Sequence, residues 1–281
     1  MTLHYSAGLL GMLAICIGAQ SAALHRSGGK TVKSESNYFS SIARIQTESQ
    51  GQPRIMMLGS SLTGRLGDRA QRVDGVANLG CDGGSSVITL RAMAQGILPV
   101  APLLIVEANS LAFELESRGK EISEAVGSPW FEIGIRHPNL GATARPTAFA
   151  YSWLMAKSSP SASAKDSGFL PIVSKPSTVI AAIPSGLSPE EEMLVNELTG
   201  ILERLGNEGS EILLVMLPPG AAADSAEMRI PLALAAKSGV CWWDLTDGLS
   251  PDSVEFSDGL HLDAESAQKV MNTLLREVER P

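Results

Sequence analysis

The stretch IMMLGSSL, residues 55–62, places a glycine and two serines directly after four apolar residues. A continuous apolar run without polar alternation is typical of a strand buried on both faces of a parallel sheet. The residues that follow Ser61 begin a helix-like pattern. The stretch therefore predicts a buried strand that ends in a hydroxyl-bearing turn, just before a helix.

The same alternation of strand and helix patterns continues along the chain of 281 residues. Apolar runs predict strands at residues 54–58, 75–80, 103–106, 211–217 and 239–245. Helical spacing predicts helices at residues 85–98, 188–205, 228–237 and 264–278. The second of these has the clearest start, because Ser188, Pro189 and Glu191 match a capping box with proline at the first helical position. The order favours the α/β class. We predict a three-layer α/β/α sandwich around a central, mostly parallel five-stranded sheet.

The N-terminal 24 residues contain no Asp, Glu, Lys or Arg. Such an apolar run is typical of a signal peptide or a single membrane anchor, and a buried helix of the domain is the alternative. Residues 25–52 are polar and predict a linker to a domain at residues 53–281. We expect the protein to be exported (periplasmic or extracellular) or membrane-anchored through residues 3–24.

Composition excludes some functions and leaves the state of the cysteines open. The net charge is −8 and no Lys/Arg cluster is present, which argues against nucleic-acid binding. No CxxC or His-rich spacing indicates a metal site, and we expect neither a metal nor a cofactor. Cys16 lies in the apolar leader; Cys81 and Cys241 form either a disulfide or, as we favour, two packed thiols.

Residues 127–187 do not follow the alternating pattern and hold many Pro, Ser and Ala residues. Long insertions of this kind are either disordered or functional lids. The scattered aromatic residues indicate that at least part of the insertion packs against the domain.

Polar residues follow several of the predicted strands. Ligand sites on open α/β sheets lie at the carboxyl ends of the strands. The first strand delivers Ser61 to that edge, the second a glycine-rich segment at residues 80–84, and the third Asn109. Asp258 and His261 come after the fifth. A hydroxyl, a glycine turn, an amide and an Asp/His pair are the components that nucleophilic acyl transfer requires.

These segments resemble the motif blocks of the SGNH/GDSL hydrolases and their acyltransferase relatives. Gly59-Ser60-Ser61-Leu62 resembles the GDSL block, Gly80 the second-block glycine, Asn109 the third-block asparagine, and Asp258-Gly259-Leu260-His261 the closing D-x-x-H motif. The resemblance implies the flavodoxin-like SGNH fold, with Ser61 as the nucleophile. It covers residues 54–115 and 205–280 and gives no role to the insertion.

The chemistry assigns a role to each of these residues. A serine hydroxyl is a weak nucleophile, so His261 is expected to take its proton as the general base. Asp258 is expected to accept the other ring N–H and fix the tautomer. The backbone N–H groups of Ser61 and Gly80 and the side-chain amide of Asn109 are the expected oxyanion-hole donors.

Two departures from the family pattern affect the functional interpretation. Ser60 stands where the family usually has Asp, and Glu107 replaces the usual glycine two residues before Asn109. A carboxylate aimed at an oxyanion would oppose catalysis, so we expect the Glu107 side chain to turn away or to bind another group. Similar departures occur in branches of the superfamily that modify cell-envelope polymers.

The resemblance implies a serine esterase that acts on an acylated carbohydrate or a similar ester through an acyl-serine intermediate. One alternative is an O-acyltransferase of cell-envelope or exported polysaccharide. Another is a catalytically silent SGNH-like module that binds a glycan or a partner protein. The expected partner is a small-molecule or carbohydrate ester in the first two cases.

Overall fold

The computed structural model describes residues 2–26, 34–66, 73–158, 168–171, 174–178 and 186–279. A five-stranded sheet forms its centre, with strands β1 (Ile55–Leu58), β2 (Val76–Asn78), β3 (Leu103–Glu107), β4 (Glu211–Met216) and β5 (Cys241–Asp244). The strand order is β2-β1-β3-β4-β5, and every neighbouring pair is parallel. The predicted parallel sheet is confirmed.

Ten α-helices lie in the described residues: α1 (Thr2–Arg26), α2 (Asn37–Glu48), α3 (Ser61–Gly64), α4 (Ser86–Ala94), α5 (Lys120–Val126), α6 (Pro129–Arg136), α7 (Pro146–Ser158), α8 (Pro189–Asn207), α9 (Ala226–Ser238) and α10 (Ala264–Val278). Short 3-10 helices add Leu111–Glu116, Pro138–Leu140, Ala142–Ala144 and Pro251–Ser253. The predicted start of α8 is confirmed, because Ser188 and Glu191 form a reciprocal capping box.

The sheet is covered on both faces, which makes the fold the expected α/β/α sandwich. Met56 and Leu58 belong to one hydrophobic core, which also contains residues of α4, α8 and α9. Ile55 and Met57 belong to a second core, which also contains Trp243 of β5 and five residues of α10. Since successive strand residues point to opposite faces, two separate apolar layers explain why β1 is apolar at every position.

The linker prediction for residues 25–52 is wrong where α2 forms. Helix α2 packs into the domain with seven buried residues, and four of these are polar: Ser40, Ser41, Arg44 and Gln46. Their polar groups are satisfied inside the protein; Gln46, for example, donates to the Phe131 carbonyl at 3.1 Å and accepts from the Ala142 N–H at 2.8 Å. The polar composition of residues 25–52 therefore led to the prediction of a linker where a buried helix forms.

The apolar leader forms α1. Its segment His4–Arg26 is long and apolar enough to cross a membrane, with a mean hydropathy of 1.8, and only 6% of its most apolar part is buried in the structure. Within the described residues it is the one helix that meets these conditions. Its contacts run to α7 and to the 3-10 turns at Pro138–Leu140 and Ala142–Ala144.

The insertion at residues 127–187 packs in part, as predicted. It contributes α6 and α7, and Phe131 of α6 is buried in the first core. Residues 159–167, 172–173 and 179–185 of the insertion lie outside the described part of the chain.

Cys81 is buried and Cys241 half-buried, and both are free thiols, so the preference for packed thiols over a disulfide is confirmed.

Candidate active site

Ser61 is the first residue of α3, directly after the carboxyl end of β1. Ser60 caps this short helix, and its hydroxyl oxygen accepts the Leu62 N–H at 3.2 Å. The turn therefore presents Ser61, which is half-buried, at the edge of the sheet where the β1 and β3 carboxyl ends meet.

Three of the predicted site residues meet at this edge. Ser61 Oγ lies 2.8 Å from His261 Nε2, and His261 Nδ1 lies 2.8 Å from Asp258 Oδ2. Both are ordinary hydrogen-bond distances. A hydroxyl, an imidazole and a carboxylate thus form one continuous chain of hydrogen bonds, with 14% of the His261 side chain exposed.

An antiparallel β-bridge closes the loop that holds His261 next to Ser61. Phe256 pairs with Leu262 across this loop, and the Ser257 N–H donates to the His261 carbonyl at 2.8 Å. Gly259 turns the loop with a φ of 82°, a conformation that favours glycine. Leu262 is buried in the second core and so anchors the loop beside α10.

Both carboxylate oxygens of Asp258 are engaged. Oδ1 accepts the backbone N–H of His261 at 2.8 Å and that of Leu260 at 3.2 Å. These bonds, the His261 backbone N–H foremost, hold the pKa of Asp258 well below its ordinary value. An ionised carboxylate only accepts hydrogen bonds, so His261 Nδ1 carries a proton toward it. In the neutral ring, Nε2 is then the acceptor and the Ser61 hydroxyl is the donor.

An arginine that sequence reasoning did not include contacts this carboxylate. Arg65 Nη1 lies 3.6 Å from Asp258 Oδ2, and both side chains are about half exposed, at 43% and 48%. Arg65 stands four residues after Ser61, a spacing that places two side chains on one face of a helical turn. This four-residue spacing is the feature of the sequence that places Arg65 near the site.

Gly80 lies against the serine turn, but its N–H has another acceptor. A Cβ at this position would overlap the Gly64 backbone and lie 2.8 Å from the Ser60 carbonyl oxygen, so the close approach requires glycine. The Gly80 N–H donates to Asn78 Oδ1 at 3.0 Å. Its predicted role as an oxyanion donor therefore requires that this hydrogen bond be shared or exchanged.

Asn109 joins the ends of β3 and β4. Its Nδ2 donates to the Leu217 carbonyl at 2.9 Å, and its Oδ1 accepts the Leu217 N–H at 2.8 Å. These two bonds use one of the two amide hydrogens, and the side chain is buried. Asn109 thus has a structural role at the same edge of the sheet, and its oxyanion role stays a prediction.

Glu107, which stands where the family usually has glycine, binds the backbone turn that contains Ser61. Binding to another group was one of the two outcomes expected for its side chain. Its carboxylate accepts hydrogen bonds from the backbone N–H groups and the hydroxyls of Ser60 and Thr63. The sequence marked Glu107 as unusual but gave no sign that Thr63 was its partner.

Comparisons with models of protein families, with curated proteins and with solved structures found no match to this chain. The resemblance to the SGNH/GDSL hydrolases therefore depends on the four motifs alone.

Proposed function

We propose that the protein is a serine esterase of the SGNH/GDSL type that forms an acyl intermediate on Ser61. The observation that carries this proposal is the hydrogen-bonded chain from Ser61 through His261 to Asp258, with both distances at 2.8 Å. The three residues come from the end of β1 and from the loop before α10, so the arrangement does not arise from local sequence geometry.

In the proposed first step, Ser61 Oγ attacks the carbonyl carbon of an ester while its proton passes to His261 Nε2. Ionised Asp258 accepts the Nδ1–H and stabilises the imidazolium that forms. The negative charge on the carbonyl oxygen needs donors, and the Ser61 N–H has no acceptor among the described residues. This N–H is therefore the donor best placed to stabilise the oxyanion.

The tetrahedral intermediate then collapses. The bond to the alcohol oxygen breaks, and the alcohol leaves with the proton from His261 Nε2, which leaves an acyl ester on Ser61. In the second half-reaction, water gives its proton to Nε2 and attacks the acyl carbon. Ser61 recovers its proton as the carboxylic acid departs.

The proposed substrate class and location rest on features of the sequence. We propose an acylated carbohydrate or similar ester as substrate, on the basis of the family branches that share the departures at Ser60 and Glu107. We propose that α1 either directs export or anchors the domain to a membrane, because its length and hydropathy suit both. If α1 directs export, the ester lies outside the cytoplasm.

A fluorophosphonate probe tests the proposal directly. Such a probe reacts when an activated serine oxygen displaces fluoride from phosphorus. We expect wild-type protein to be labelled and Ser61→Ala to be unlabelled, with the labelled peptide containing residue 61. Ser250→Ala, which removes an exposed hydroxyl before the Pro251–Ser253 turn, serves as the matched control and should label like the wild type.

Hydrolysis of p-nitrophenyl acetate gives a second readout, and its loss in His261→Ala would support the proposed base. Absence of labelling in the wild-type protein, together with absence of turnover, would overturn the esterase proposal and favour a silent binding module. Labelling that persists in Ser61→Ala but is lost in Ser60→Ala would place the nucleophile one residue earlier.

A further inference from the structure

We infer that Glu107 is a positioning residue for the acyl-transfer chemistry: its buried carboxylate fixes the turn that aims Ser61 at His261 and leaves the Ser61 N–H free. This inference rests on the proposed function, since it assigns a role to a residue that does not touch the ester. Glu107 lies at the end of β3, and the residue is 1% exposed.

The hydrogen bonds of Glu107 surround the nucleophile on both sides. Oε2 accepts the Ser60 N–H at 2.9 Å, the Thr63 N–H at 2.9 Å and the Thr63 hydroxyl at 2.6 Å. Oε1 accepts the Ser60 hydroxyl at 2.6 Å. Four donors converge on one group, and a carboxylate, whose oxygens only accept, matches all four.

A buried carboxylate is a costly way to hold a turn. Among the described residues no lysine or arginine forms an ion pair with Glu107. Burial of an unpaired charge opposes folding unless hydrogen bonds compensate for the lost water, and an apolar side chain would avoid that cost. The donors offset the cost, but the carboxylate gives the turn a fixed geometry rather than extra stability.

The backbone N–H groups of the turn differ in whether they have an acceptor. Those of Ser60 and Thr63 donate to Glu107, and that of Leu62 donates to the Ser60 hydroxyl oxygen. Within the described residues, the Ser61 N–H is left without an acceptor. Glu107 and Ser60 thus occupy the neighbouring donors and leave the one that an oxyanion requires.

Gly59 is part of the same arrangement. A Cβ at this position would overlap both the Thr63 hydroxyl and the Glu107 carboxylate. The glycine that ends β1 therefore gives the carboxylate room to reach under the turn. This accounts for the sequence order of an apolar strand, a glycine and two serines.

The test compares Glu107→Met with Glu107→Gln. Methionine is similar in length but accepts almost no hydrogen bonds, so the Ser60 and Thr63 N–H groups lose their partner. We expect the labelling rate with the fluorophosphonate and kcat for p-nitrophenyl acetate to fall by about 100-fold, the cost typical of a misplacement near 1 Å. KM should stay within a few-fold, because Glu107 does not contact the ester.

Glutamine is the conservative replacement. Its amide oxygen can take the position of Oε2 and accept the same three donors, while its amide hydrogens face the Ser60 hydroxyl, which can accept. We expect Glu107→Gln to recover most of kcat and of the labelling rate. This ordering, with Gln near the wild type and Met far below it, is what a role in geometry predicts.

A loss of stability alone would give another result. Ile230→Val, a buried substitution in α9, lowers stability by about 1 kcal/mol without touching the turn, and should keep the wild-type kcat per folded molecule. If Glu107→Met does not fold, Thr63→Val takes its place, because it removes the 2.6 Å hydrogen bond from the Thr63 hydroxyl and keeps the Thr63 N–H that donates to the same oxygen. We expect Thr63→Val to lower kcat several-fold.

The outcomes separate the two proposals. Wild-type protein that is neither labelled nor active overturns the proposed esterase function and the positioning role with it. Wild-type protein that is labelled at Ser61, with Glu107→Met or Thr63→Val equally fast per folded molecule, overturns the positioning role alone.

Discussion

Arg44 Nη2 lies 3.1 Å from Asp82 Oδ2, and the same guanidinium donates to the Gly80 carbonyl. The pair joins α2 to the segment that follows β2, so a helix from the supposed linker supports the loop beside the serine turn. Arg44 is buried, with 4% of its side chain exposed, and Asp82 nearly so at 17%. Breaking a buried ion pair leaves one charge without its partner.

Arg44→Met is therefore expected to lower the free energy of unfolding by about 3 kcal/mol, measured by urea denaturation. The matched control is Arg54→Met, which removes an arginine whose ion pair with Glu279 is exposed at 3.6 Å. That change should stay within about 0.5 kcal/mol of the wild type. Equal stability of the two variants would contradict a supporting role for α2.

Asp258→Asn is expected to lower kcat by about 10²–10⁴-fold with little change in stability. Oδ1 accepts two backbone N–H groups and Oδ2 accepts His261 Nδ1–H. An amide cannot meet both demands, because in either orientation its NH₂ group faces an N–H donor. The measurement is steady-state hydrolysis of p-nitrophenyl acetate.

Asp252→Asn controls for the loss of one negative charge near the same loop, since Asp252 is exposed in the Pro251–Ser253 turn. We expect wild-type kcat for this variant. If Asp258→Asn also keeps the wild-type kcat, the carboxylate does not orient the imidazole.

Asn109→Ala is expected to lower stability as well as activity. The substitution leaves the Leu217 N–H and carbonyl without their side-chain partners in a buried position, at a cost of about 3 kcal/mol. Asn272→Ala is the matched control, because its amide makes a half-buried bond to the Gly168 carbonyl at 3.0 Å. Urea denaturation should show the larger loss for Asn109→Ala. An unchanged unfolding free energy with reduced kcat would instead indicate a purely catalytic amide.

The sequence predicted the elements whose signal is local or strongly periodic. The five strands appear where apolar runs were continuous, and the α8 start follows its capping box. The meeting of Ser61 with His261 across 200 positions was also predicted. It follows from strand order, since the carboxyl ends of parallel strands share one edge of the sheet.

The sequence could not predict interactions in which buried polar groups satisfy one another. Gln46 and Arg44 are polar residues that composition places at the surface, but both are buried and both donate to backbone carbonyls of distant segments. The pairing of Glu107 with Ser60 and Thr63 depends on the register between β1 and β3, which is a property of the folded sheet. Residue type alone does not give that register.

Burial affects the reactivity of Cys81. Removal from water raises the pKa of its thiol from 9.0 to about 12, because burial disfavours the thiolate. The thiolate is the form that reacts with alkylating agents. We therefore expect iodoacetamide at pH 9 to modify Cys81 in urea-unfolded protein and to leave it unmodified in native protein, as read by peptide mass spectrometry. Modification at similar rates in native and unfolded protein would contradict a buried, protonated thiol.

The same shift makes stability depend on alkaline pH. Because the folded pKa lies above the unfolded value of 9.0, the contribution of Cys81 is fully present below pH 9 and is lost as the pH rises toward 12. Other groups titrate in this range, so the wild type is compared with Cys81→Ala, which lacks the thiol. We expect the wild type to lose about 2 kcal/mol of unfolding free energy relative to Cys81→Ala between pH 8 and pH 10.5. Parallel pH profiles for the two proteins would show that the thiol ionises equally in the folded and unfolded chain.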